Sequence, residues 1–133
     1  MSAFSLSLAL PSASVAEPDA SPDWEALAKE RAEARWRALI EGRLESAYAF
    51  LSPAQREITS FDAYRRKIGG VGTWKDVDVQ NATCDESRCK TATSVFFEFR
   101  HRRLPEPVKS SELLEETWLI DEAGGQLWFV PNK

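Results

Sequence analysis

The sequence predicts an α+β fold, with a helical N-terminal part packed on a four-stranded antiparallel sheet. Two observations carry this. Between Trp24 and Ile68 apolar side chains recur at helical spacing, in stretches opened by capping signals. After Gly72 the spacing changes to two, in stretches separated by prolines and turn residues. A chain of 133 residues has room for one domain with one core.

Residues 1–21 read differently from the rest. They carry no charge before Glu17, an apolar stretch over 3–10, and small residues at Ser14 and Ala16 where a signal peptidase accepts them; the usual positive start is missing. They are read as the remnant of an export leader or as a disordered Ala/Ser/Pro tail. No cysteine follows the apolar stretch, so no lipoprotein anchor is expected there. The folded domain is expected over 22–133.

The first helix is expected from Ser21 as cap with Pro22 in its first turn, where a missing N–H costs nothing. Trp24, Leu27, Ala28, Ala32, Trp36, Leu39 and Ile40 fall near one face, with Lys29, Glu30, Glu33, Arg35 and Arg37 largely outside it. Gly42 marks a break, and Leu44, Ala47, Tyr48 and Leu51 supply a second apolar face. Ser52, Pro53 and Gln55 form a capping-box restart. Ser60 caps a third helix, whose apolar face is Phe61, Tyr64 and Ile68 and whose stop is Gly69-Gly70.

The first strand alternates Val77 and Val79 against Asp76, Asp78 and Gln80. The second puts Val95, Phe97 and Phe99 on one face, opposite Phe96, Glu98 and Arg100. Pro105 and Pro107 make the stretch from 103 to 111 a loop. Two more strands, over 113–121 and from 126 onward, are joined by the turn "DEAGGQ".

A net charge of −4 argues against nucleic acid as a partner, since no broad basic face is available to neutralise phosphates. No apolar run approaches the length of about 20 residues that crosses a bilayer.

Helices first and long antiparallel strands after them resemble the NTF2-like (cystatin-like cone) superfamily. The stretches "AYAFLSPAQRE", "YRRKIGGVGTW" and "EETWLIDEAGGQLWFVP" are similar to its small bacterial members. The resemblance covers about residues 23–131 and contains no catalytic signature. It implies three N-terminal helices on a curved four-stranded antiparallel sheet, a cone whose open end often holds a ligand. The superfamily includes isomerases, dehydratases, binding modules and interaction domains, so the resemblance does not choose among them.

Both cysteines lie in "TCDESRCK". Cys84 closes one strand and Cys89 opens the next, and facing positions on an antiparallel pair are about 4.5–5.5 Å apart at Cα, within reach of a disulfide. Free thiols are the alternative. No zinc site is expected, because His101 is the single histidine. The C-x-x-C spacing of dithiol redox sites is absent as well. A disulfide and an export leader agree, placing the protein in the periplasm or outside the cell.

The isomerases of the superfamily use a buried Asp base with a Tyr and a protonated Asp, and its dehydratases an Asp–His pair. Asp62 and Tyr48 are the corresponding suspects here, although Asp62 also suits the first turn of a helix. Glu98 and Glu116 are the carboxylates within strands, and alternation turns Glu98 away from the Val95 face. His101, within "RHRR", is read as a solvated strand end or as a binder of an anionic group. Trp36, Tyr48, Tyr64, Phe97, Phe99, Trp118 and Trp128 could pack as core or line an apolar pocket.

The expected role is therefore non-catalytic binding of a small apolar ligand or of a protein partner, with no cofactor and no metal. A small cofactor-independent isomerase or dehydratase is one alternative, and an assembly domain with a filled cone is another. Phe96 on the outer sheet face predicts a homodimer through that face.

Overall fold

The computed structural model describes residues 22–69 and 71–131. The expectations for the leader, for Ser21 as a cap and for Gly70 as part of a helix stop lie outside the described residues.

Helix α1 spans Trp24–Ile40. Its cap is Asp23 rather than a residue before it: Asp23 Oδ1 accepts from Ala26 N at 3.1 Å, and Pro22 precedes the helix instead of lying in its first turn. Aspartate is among the best caps because its carboxylate meets an orphan amide within its own turn. Gly42, at φ 76°, ends the helix. Its amide bonds Leu39 O at 3.2 Å and the Arg43 amide bonds Ala38 O at 2.8 Å, the paired closing bonds that a left-handed residue makes possible.

Three short helices follow: α2 (Leu44–Tyr48), α3 (Pro53–Ile58) and α4 (Phe61–Lys67). The helical part thus has four segments, one more than expected, because the Ser52-Pro53 restart forms a helix of its own. Ser52 Oγ accepts from Gln55 N and Ser60 Oγ from Ala63 N, each at 3.1 Å. The capping box at Ser52 is half made, since the Gln55 side chain donates forward to Thr59 Oγ1.

Strands β1 (Trp74–Cys84), β2 (Arg88–Phe99), β3 (Val108–Asp121) and β4 (Gln126–Val130) form one antiparallel sheet in chain order. The sheet is open, with β1 and β4 at its edges. Strand β3 starts at Val108, five residues earlier than expected. Pro105 and Pro107 lie just before it, so every residue from Val108 onward keeps an N–H for the ladder. Register shifts between Trp74/Asp76 and Val79/Asn81 insert bulges into β1, which bend a strand and raise its twist.

Helix α1 packs mainly on β1 and also contacts β2. The link between α2 and α3 covers the other side, where Phe129 N donates to Phe50 O at 2.8 Å and Leu51 bridges Phe129. Cys89, Thr91, Thr93 and Val95 of β2, Glu116 and Trp118 of β3, and Leu127 and Phe129 of β4 are buried beneath the helices. The disulfide Cys84–Cys89 is formed, with the two residues directly opposite each other and their Cα atoms 4.0 Å apart. Asp85 closes the loop between them, its Oδ1 accepting from the Ser87 and Arg88 amides at 2.8 Å. Those two bonds hold the Asp85 carboxyl below its ordinary range.

Candidate functional site

The polar centre of the core is an ion pair. Arg35 Nη1 donates to Glu116 Oε2 at 3.1 Å and Trp36 Nε1 to Glu116 Oε1 at 2.8 Å, all three side chains being buried. Strand alternation puts Glu116 beneath the helices, together with Leu114, Trp118 and Ile120. Arg35, expected largely outside the apolar face of its helix, is only 6% exposed. It follows Ala28 and Ala32 and precedes Leu39 at core spacing, and that position outweighs its charge. Its guanidinium carbon sits 3.5 Å from the Phe129 ring centroid, so the desolvated cation gains ring-face attraction besides the carboxylate.

Around this pair the hydroxyls of Tyr64, Thr91 and Thr93, Arg35 Nε and Trp118 Nε1 are buried with no hydrogen-bond partner among the described residues. Thr91 lies directly opposite Glu116 in the sheet. Burial raises the Tyr64 hydroxyl above its ordinary pKa; nearby Arg35 opposes this and Glu116 adds to it. The phenol is thus neutral over the physiological range. Glu116 uses each oxygen for a charge-assisted bond, which makes it a fixed acceptor rather than a free base.

The structure divides the predicted aromatic set. Trp36, Tyr64 and Trp118 are buried in the core. Tyr48 packs on Phe61 and Tyr64, with centroids at 5.5 and 5.3 Å, and its hydroxyl donates to Thr59 O at 2.6 Å, with Arg56 O at 3.1 Å. Phe97 and Phe99 stack on each other at 6.3 Å, farther along β2. Trp128 pairs with Leu119 and alternates with buried Leu127 and Phe129, which puts it on the opposite sheet face. There its Nε1 donates to Asp121 Oδ2 at 3.2 Å.

Asp62 is exposed on α4 and engaged by Arg65 and Arg66. It lies away from the core pair, and the Tyr48 hydroxyl is spent on backbone carbonyls, so these two residues do not converge on a common point. Among the described residues no group of three or more His, Cys, Asp or Glu side chains is placed to hold a metal ion. No described helix is long and apolar enough to cross a membrane.

Surface hollows lie elsewhere. One, of about 390 Å³, lies between α1 and α2, lined by Ala34, Ala38, Ala49 and Phe50 together with Arg31, Arg37 and Arg43. No family model, curated protein or solved structure matches this chain.

Proposed function

We propose that this chain is a non-catalytic, exported binding domain of the NTF2-like kind. Its partner is a protein, in the first instance a second copy of itself, met through the sheet face that the helices leave uncovered. The observation that carries this is a set of apolar side chains on that face. Phe96 and Leu113, diagonal neighbours across β2 and β3, are 41% and 61% exposed, and Leu119, at 38%, adjoins Trp128. They form two groups, Phe96 with Leu113 and Leu119 with Trp128, and Thr117 and the Lys90–Glu115 pair at 3.9 Å lie between them. Large apolar side chains left exposed among polar groups on one sheet face mark a candidate interaction surface. The α+β order and the formed disulfide support the family and compartment in this reading.

Light scattering on the oxidised protein tests it, with a dimer as the expected result. Leu113→Lys together with Leu119→Lys should then yield a monomer with an unchanged circular dichroism spectrum. A wild-type protein that stays monomeric at high micromolar concentration removes self-association, and the reading would then need a different protein partner.

The hollow between α1 and α2 favours a second reading, the binding of a small apolar acid. Apolar residues make up half of its lining, and Arg31, also in the lining, donates to Gln126 Oε1 at 2.8 Å and has no carboxylate partner among the described residues. Calorimetric titration with a medium-chain fatty acid, compared between the wild type and Arg31→Gln, decides this reading.

A further inference from the structure

The β2–β3 hairpin is longer than the helical layer that covers it. Along its inner face burial fades from Cys89, Thr91, Thr93 and Val95, all at 2% or less, through half-buried Phe97 to Phe99 at 41%. On β3 the residues facing this end, Ser110 and Glu112, are exposed. Every residue from 99 to 106 is exposed. The hairpin therefore ends in an arm that neither sheet face covers.

The charge of the arm opposes that of the chain. In a protein of net charge −4, the tip carries Arg100, Arg102 and Arg103, with Lys109 beside them and only Glu98 and Glu106 against them. None of the three arginines forms an ion pair among the described residues. Leu104, half exposed at 50%, and Phe99 lie among them. The turn is held in shape: Leu104 N donates to His101 O at 3.0 Å and Arg103 N to His101 Nδ1 at 3.2 Å. Pro105 and Pro107 restrict the backbone that follows. Folding the histidine ring back onto the turn leaves the guanidinium groups outside it.

We propose that this tip docks on an anionic phospholipid surface. Arg100, Arg102 and Arg103 meet the lipid phosphates, while Leu104 and Phe99 enter the interfacial layer between them. Guanidinium groups interleaved with apolar side chains match that layer, which is anionic outside and apolar a few ångströms deeper. A fluid bilayer conforms to a protruding turn without a preformed complementary groove. Three arginines are also too few to carry nucleic-acid binding on an otherwise acidic chain. Phe99 is on the inner sheet face and Phe96, Leu113 and Leu119 are on the outer one, so the inference is distinct from the proposed dimer although Phe96 lies three residues before Phe99 on β2.

Co-sedimentation of the full chain with vesicles tests the proposal. The protein should pellet with phosphatidylethanolamine–phosphatidylglycerol vesicles, remain in solution with phosphatidylcholine vesicles, and be released by high salt. Each arginine near such a surface is worth about five-fold in partitioning, so Arg102→Gln with Arg103→Gln should weaken binding by about 25-fold. Leu104→Ser should weaken it while leaving the salt dependence in place. All these substitutions are on the exposed turn, and an unchanged circular dichroism spectrum verifies the fold. Equal binding to both vesicle types, no binding to either, or an unaffected arginine variant would each overturn the proposal. Binding of soluble polyglutamate at low salt without any binding to the anionic vesicles would overturn it in favour of an acidic protein partner. Light scattering on the same arginine variant keeps a loss of dimer distinguishable from a loss of membrane binding.

Discussion

Arg35 donates to Glu116 across 3.1 Å, joining α1 to β3 inside the core. Two charges removed from water together gain little over well-packed apolar residues, but one left alone is costly. Glu116→Gln and Arg35→Met should each destabilise by about 3–5 kcal/mol, whereas Arg35→Met combined with Glu116→Leu should recover much of that loss. Urea unfolding of the wild type, Arg35→Met, Glu116→Leu and the double variant closes the double-mutant cycle. A near-additive double variant would mean that the pair is uncoupled.

Trp36→Phe keeps an aromatic ring beside Trp74, 5.2 Å away edge to face, and removes the bond to Glu116 together with part of the buried indole that Arg35 packs on. A lost bond to a charged group costs about 1.5–3 kcal/mol. Equilibrium unfolding in urea should therefore place this variant between the wild type and Glu116→Gln.

Tyr64 gives the stability a dependence on alkaline pH. Its folded pKa is raised by burial, so the unfolded chain releases the proton first. The stabilisation is complete below the unfolded value of about 10 and is lost as pH rises through the folded value. The chain has two tyrosines, so Tyr48→Phe leaves a single phenol for ultraviolet titration. It should titrate above a free tyrosine and together with unfolding. Tyr64→Phe should flatten the alkaline limb of the stability curve, and an ordinary, reversible titration would contradict the burial argument.

The disulfide closes a loop so short that the chain-entropy model assigns it only about 2 kcal/mol. Cys84→Ser with Cys89→Ser should lower the urea midpoint modestly and leave the sheet intact. The α1 contact at this hairpin persists without sulfur, because Glu25 Oε2 accepts from Cys84 N at 3.2 Å. Loss of cooperative unfolding in the serine variant would show that the hairpin organises more of the fold than its loop length implies.

Replacing Asp85 by Ala removes the acceptor that holds the Ser87 and Arg88 amides. The depressed carboxyl makes this contribution present above the unfolded pKa and lost as pH falls through the folded one. Hydrogen exchange at those two amides should quicken in Asp85→Ala. In the wild type, local protection should fall only in acid.

The sequence by itself determined the features that rest on short-range bonds. The caps at Ser52 and Ser60, the end of α1 at Gly42, the alternation of β2 and the pairing of Cys84 with Cys89 each involve residues a few positions apart. Arg35 was legible in position, spaced with Ala28, Ala32 and Leu39, yet its charge argued for solvent. Only the tertiary structure decided otherwise, because the carboxylate that makes its burial tolerable lies 81 residues away on β3. The same holds for the aromatic residues. Alternation sets which face of a strand a ring occupies, but whether a helix covers that face depends on how far α1 reaches along the sheet. Val95 is covered and Phe99 is not, although both lie on one face of one strand. Local periodicity carries no information on that reach, which is set by the packing of elements distant in the chain.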